Sequence, residues 1–483
     1  MDDKSRNSSY KHILKYTGMF GGVQVLSIVV EIIRNKFVAV MLGPSGMGLV
    51  SIYNSAMRMV ADSTSLGVAT SGVRNLSAAY EHGDSGEINR WMCIVRTWAL
   101  VTAILGMVVC MALSPLLSEV VFDNGDKTLA FILLSPIVAC MAITGGELAV
   151  LKATRQLKKL ASVTITNVIV ALVLTLPVYA LMGMDGIVPL LVAMSLLQMI
   201  VTVLKSTSTY PYSMPSMDLL AEGVPMVKLG IVFVLAAVCG SAADFIIRSY
   251  LSANSTIATV GLYNAGFMMT MTYAGMIFSA METDYFPRLS ACCKQQSSMN
   301  ITVNRQVEVS LMIISPLLVV FTFLLPIGLP LLYSGKFLSV LDMMHIMVIA
   351  MYMRAVKLPI AYLPLAHGDS LLYLLMEALY AVAIVVAVMF CFDIYGLTGT
   401  GIAIALVSVA DFFMLWFAMK VRYEFSLAYH LKWYIAIQVT IGVASLVSTL
   451  CLDGWVYCAA GIALALLSTV LSWKNIKGRV KRE

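Results

Sequence analysis

The chain has 483 residues, 60% of them hydrophobic and only 12% charged, with a mean hydropathy of +0.89. A soluble domain carries about 25% charged residues, so a water-soluble enzyme is excluded. The formal net charge of +6 is small and dispersed, which gives no support to a nucleic-acid partner. The nine cysteines form no CxxC or Cys/His ligand spacing, and they read as small hydrophobes inside apolar runs.

In chain order, apolar runs long enough to cross about 30 Å of hydrocarbon recur from end to end. They predict spans over 13–42, 46–66, 91–113, 129–151, 160–182 and 186–204, then a polar connector over 205–225. A second set covers 227–251, 260–280, 307–333, 338–365, 371–392 and 396–419, and two more spans follow over 431–451 and 455–473. The expected fold is an all-α integral membrane protein of about fourteen transmembrane helices. Residues 13–204 would form one six-helix lobe and 226–420 a second, with two additional helices over 431–473.

Lys and Arg concentrate in alternate loops. Lys4, Arg6, Arg74, Arg90, Lys152, Arg155, Lys158, Lys159, Arg288, Lys294, Lys420, Arg422 and Lys477 would share one side with both termini, while the other side has only Lys127 and Lys336 beside Asp123, Asp126, Asp342 and Asp453. By the positive-inside rule both ends face the cytoplasm. Trp91, Trp433, Trp455 and Trp473 sit at span ends, where an aromatic belt would place them.

Shifting the sequence by 213 places Lys15 on Lys228, Glu31 on Asp244, Gly48-Leu49 on Gly261-Leu262, Leu76-Ser77-Ala78 on Leu289-Ser290-Ala291 and Ala153 on Ala366. Such an offset implies two six-helix lobes of like orientation, the duplication common in transporters.

Charges inside the spans carry the chemistry, because Arg, Lys or Asp at a helix centre costs roughly 2.5–3.5 kcal/mol to insert. Glu31 and Arg34 are three residues apart in the first span. Arg58 and Asp62 in the second, and Asp244 and Arg248 in the seventh, are four apart, so each pair shares a helix face. Arg354 and Lys357 have no acid nearby in sequence; Glu377 and Asp411 are the acids that neighbouring spans could offer them. Either these are intrahelical pairs that fix the lobes, or the cations face a wet cavity and grip an anion, as the Arg fork grips phosphate. The candidate anion-binding set is Arg34, Arg58, Arg248, Arg354 and Lys357. Glu31, Asp62, Asp244 and Glu377 are the candidate counter-ion or ion-coupling set. Lys36 and Arg248 lie close enough to the outer surface to snorkel. Metal ligation is not expected from the five histidines, and Gly43-Pro44-Ser45-Gly46 reads as an external turn lacking the Lys-Ser/Thr ending of a nucleotide loop.

Lys15-Tyr16-Thr17-Gly18, Glu31-Ile32-Ile33-Arg34-Asn35-Lys36 and Leu42-Gly43-Pro44-Ser45-Gly46-Met47-Gly48-Leu49 resemble the first helix and turn of O-antigen translocases. Those are polysaccharide flippases of the multidrug/oligosaccharidyl-lipid/polysaccharide exporter superfamily. Phe286-Pro287-Arg288-Leu289-Ser290 and Leu365-Ala366-His367-Gly368 are similar to that family too. The resemblance implies a carrier, not an enzyme, that moves undecaprenyl-diphosphate-linked oligosaccharide from the inner to the outer leaflet of the bacterial inner membrane by alternating access. It further implies that Arg34, Arg58 and Arg248 line a cavity. No cofactor is expected; membrane potential or a proton or sodium gradient would drive transport, and polysaccharide polymerase machinery is a candidate partner. The extra helix pair is similar to that of lipid II flippases. A multidrug or organic-cation exporter of the same superfamily and a membrane-embedded polymerase or ligase stand as the alternatives.

Overall fold

The computed structural model describes residues 3–122, 127–208, 210, 218–273, 275–452 and 454–480, and most side chains from Gly22 onward. Asp123, Asp126, Asp453, Lys481, Arg482 and residues 209 and 211–217 of the 205–225 connector lie outside the described residues, as do the side chains of Lys4, Arg6, Lys11, Lys15 and Lys477.

All regular structure among the described residues is helical. The elements are α1 (Asp3–Thr64), α2 (Val68–His82), α3 (Ser85–Phe122), α4 (Thr128–Ala153), α5 (Leu157–Met182), α6 (Ile187–Thr207), α7 (Asp218–Ala253) and α8 (Ile257–Phe267). They continue with α9 (Met276–Cys292), α10 (Gln296–Leu332), α11 (Leu341–Ala361), α12 (Leu363–His367), α13 (Ser370–Tyr423), α14 (Tyr429–Cys451) and α15 (Gly454–Val480). Two of these are pairs of spans. α1 breaks at Gly43 (φ 65°), and Pro44 begins the second arm, where its fixed φ and missing N–H cost nothing. α13 breaks at Gly396 (φ 58°). With the arms counted separately, α8 and α9 taken as one crossing, and α2 and the five-residue α12 left out, the described helices make up the expected fourteen.

The outer surface explains the solvent. Leu129, Val173, Leu181, Val382, Phe390 and Phe417 are each more than 60% exposed, an apolar exterior that suits lipid and would aggregate in water. The chain is therefore a multi-pass membrane protein. Trp433, Trp455 and Trp473 are exposed near helix ends, whereas Trp91 packs against the core built by Val95, Ala99 and Val150.

The repeat is visible in the backbone. Gly183 (φ 55°) ends α5 and Gly396 (φ 58°) ends the first arm of α13, and these two positions are 213 apart. Arg155 (φ 56°) and Gly368 (φ 78°) are likewise 213 apart, each in the link entering those helices. The same left-handed turn therefore recurs in both halves, once on glycine and once on an arginine that has to bear the steric cost.

Two compact units divide the chain, residues 1–261 and 262–483. The α7 helix, beyond the 205–225 connector, packs within the first unit, on α1, α2 and α3. Small residues cause it: a Cβ at Gly67 would stand 2.7 Å from the Gly230 Cα, so the two backbones touch. Farther along, a Cβ on Gly48 would strike the Ile257 carbonyl, and one on Gly261 the Pro44 carbonyl. Both residue pairs, 44 with 257 and 48 with 261, are separated by the repeat offset, so the contact is reciprocal. In the second unit α11 is the central helix. Its Met343, Met344, Met347 and Met351 are fully buried, filling gaps between α10, α13 and α14. The additional pair, α14 and α15, docks on α10 through Ile441 and Phe323, with the Tyr457 hydroxyl donating to the Phe323 carbonyl at 2.8 Å.

Two features departed from the expected spans. The amphipathic α2 buries Val68, Ser71, Gly72, Leu76 and Ala79 between two crossings, in what read as a loop. The eighth crossing is interrupted by a π-helical turn over Met268–Tyr273, a break with no proline to announce it.

Candidate functional site

In the first unit, α1, α5 and α6 enclose a cavity of about 170 Å³, lined by Val30, Glu31, Arg34, Asn167, Val168, Val170, Ala171, Met194 and Gln198. Room for several waters within a membrane helix bundle gives charged side chains somewhere to be. Glu31 and Arg34 are half-buried, and neither makes an ion pair or a hydrogen bond among the described residues. Arg34 thus does not spend its donors on Glu31, and the buried Tyr179 of α5 lies within its electrostatic reach. The Asn167 Oδ1 is buried in the same place without a hydrogen-bond partner. A guanidinium fork, a carboxylate and two amides facing one wet space can bind an anionic headgroup that also carries hydroxyls.

The other expected residues lie elsewhere. Arg58 is 69% exposed and sits only loosely on Asp62, 3.8 Å away; hydrocarbon is costly for so open a charge, so it faces water or headgroups. Arg248 is buried, ion-paired with Asp244, and its Nε donates to the Ser51 Oγ at 2.7 Å. This corrects the expectation that Arg248 snorkels: its donors tie α7 to the second arm of α1. Arg354, in the second unit, donates to the Met271 carbonyl at 3.1 Å and lies 5.8 Å above the Phe278 ring, bracing the π-helical break. Lys357 is ion-paired with Asp411, and Glu377 lines the small cavity beside them. The structure therefore brings together Glu31 with Arg34 in the first unit, and Lys357 with Glu377 and Asp411 in the second.

Sequence reasoning passed over three groups. Asn167 and Gln198 are lone amides in apolar spans, and that isolation was the available signal. Arg96 and Glu147 form a buried pair, each side chain 3% exposed, closed by two bonds of 2.9 and 3.1 Å. A third bond of 3.2 Å runs from Arg96 to the Tyr210 carbonyl. Their signal was the only acid of the fourth span and the only base of the third, both near the same end.

A family model described as polysaccharide biosynthesis protein matches residues 37–342. The chain belongs to that family. No curated protein matches by sequence. Among solved structures, the lipid II flippase MurJ in an inward closed conformation is 12% identical and superposes with a TM-score of 0.72, covering 95% of this chain and 99% of the other. An inward-facing multidrug resistance MATE family transporter of the MOP superfamily is 14% identical, with a TM-score of 0.69 over 84% of this chain and 95% of that one. A MOP superfamily transporter from Pyrococcus furiosus is 13% identical, with a TM-score of 0.61 over 85% and 94%. At these identities the likeness is one of fold: this member of the polysaccharide biosynthesis family has the helical architecture of MOP superfamily transporters.

Proposed function

We propose that this protein is a flippase that carries an undecaprenyl-diphosphate-linked oligosaccharide from the inner to the outer leaflet of a bacterial inner membrane, with both termini in the cytoplasm. The observation that carries the reading is Arg34, an interior guanidinium with no protein partner among the described residues, on the wall of a polar cavity. Membership of a polysaccharide biosynthesis family supports a lipid-linked sugar as cargo. In this reading Arg34 holds a phosphate oxygen pair, Glu31 prevents the empty cavity from trapping a permanent anion, and Asn167 and Gln198 exchange hydrogen bonds with sugar hydroxyls. Arg58 offers a second, more open cation along the path. The prenyl tail stays in lipid, so the protein need only lower the barrier for the polar head. A polysaccharide polymerase would be the natural recipient of the product.

The test is translocation of labelled lipid-linked oligosaccharide in proteoliposomes. Losing one charge-assisted interaction of about 1.5–3 kcal/mol predicts a roughly ten- to hundredfold fall in rate for Arg34→Ala, with partial recovery in Arg34→Lys. Thermal stability in detergent should be unchanged, since no group among the described residues loses a hydrogen bond or ion pair. Organic-cation efflux that survives Arg34→Ala and fails in Glu31→Gln, with the labelled lipid left on its original leaflet, would replace the flippase with an exporter.

A further inference from the structure

We propose that the second unit contains a proton-binding site, in which Glu377 holds a proton at rest beside the Lys357–Asp411 ion pair. The argument is one of charge count in a small buried space. Lys357 on α11 pairs with Asp411 on the second arm of α13, whose side chain is only 4% exposed, and its Nζ stands 4.4 Å from the centre of the Tyr380 ring. Glu377, on the first arm of α13, lines the same cavity with Tyr373. It has no ion pair or hydrogen bond among the described residues. Among the described residues, a second cation of α11, Arg354, sits three residues before Lys357. It is turned away, to the Met271 carbonyl and the Phe278 ring. Two carboxyl groups therefore face one ammonium.

An unpaired carboxylate inside a bilayer-spanning bundle is expensive, and a group in that position neutralises instead. Glu377 takes one proton from water and becomes a neutral carboxylic acid, leaving Lys357 to Asp411. When the proton returns to water, two anions compete for Lys357, which then bridges α11 to both arms of α13. A proton thus decides how tightly these three segments are tied. The site exists whatever the cargo is; only its use in driving transport rests on the flippase reading, and the test below needs no cargo.

The experiment is infrared difference spectroscopy of the full chain in lipid nanodiscs at neutral pH, reading the carbonyl stretch of protonated carboxylic acids and its shift in heavy water. Wild type should show a protonated carboxyl that is absent from Glu377→Gln. Asp411→Asn should also lose it, because Lys357 then pairs with Glu377 and keeps it ionised. Lys357→Met should gain a second one, because neither acid has a cation. The two flanking variants thus move the signal in opposite directions, which loss of folding would not do. An identical spectrum for wild type and Glu377→Gln, or a Lys357→Met spectrum with no added acid, overturns the proposal.

Discussion

Asp369 illustrates how a single residue ties two distant chain segments. It caps the start of α13 by accepting from the Leu372 N–H at 3.3 Å, and from the far end of the same element it accepts from Arg422 and from the Tyr423 hydroxyl, each at 3.2 Å. Burial alone would raise its carboxyl, but the Leu372, Arg422 and Tyr423 donors outweigh burial and hold it below the ordinary carboxylate range. A depressed folded value means the stabilisation is complete above the unfolded pKa of about 3.9 and is lost as pH falls through the folded one. Acid should therefore loosen this end of α13. Thermal midpoints followed by fluorescence should fall on acidification below about pH 4 more in wild type than in Asp369→Asn, which at neutral pH should already be the less stable of the two. Partners of this kind are chosen by tertiary approach, since Asp369 and Arg422 are separated by almost the whole of α13.

At the scale of elements, glycine decides where helices meet. Pro44, Gly48, Ile257 and Gly261 form a reciprocal contact between the second arm of α1 and the start of α8 in which backbone meets backbone. Overpacking a tight contact costs about 1–3 kcal/mol, and here the obstruction is a carbonyl that cannot rotate away. Gly48→Ala and Gly261→Ala should each lower the unfolding midpoint, and the double variant should cost less than the sum because the two act on one contact. A double-mutant cycle on detergent-solubilised protein measures this; strict additivity would mean that the two glycines do not share the contact. Gly335→Ala, with open space where its Cβ would go, is the neutral control. The 213-residue offset pointed to Gly48 and Gly261 in the sequence, but as equivalent positions and not as neighbours.

For the whole molecule, the loop charges predict sidedness. The α14–α15 link falls on the side opposite the termini if every crossing is made, and Cys451, the exposed last residue of α14, reports on it. A membrane-impermeant thiol reagent should label Cys451 in intact spheroplasts, whereas Cys292, at the end of α9, should react only after lysis. The reverse pattern would invert the topology and, with it, the direction of transport.

What the sequence by itself determined follows from terms that act residue by residue. Hydrocarbon thickness set the span lengths, loop lysines and arginines gave an expected orientation, and the cost of buried charge marked Arg34, Arg58, Arg248, Arg354 and Lys357, with Glu31, Asp62, Asp244 and Glu377, as exceptional. The offset of 213 also announced a duplication that the left-handed turns at Gly183 and Gly396 repeat. What only the tertiary structure decided is which of those charges stay free. Asp244 and Ser51 occupy Arg248, the Met271 carbonyl occupies Arg354, and Arg34 is left beside Asn167 and Gln198 from two other helices. Spacing along one helix cannot separate these cases, because a side chain's partner depends on which neighbouring helix comes close. That approach is set by small residues and packing summed over the whole bundle.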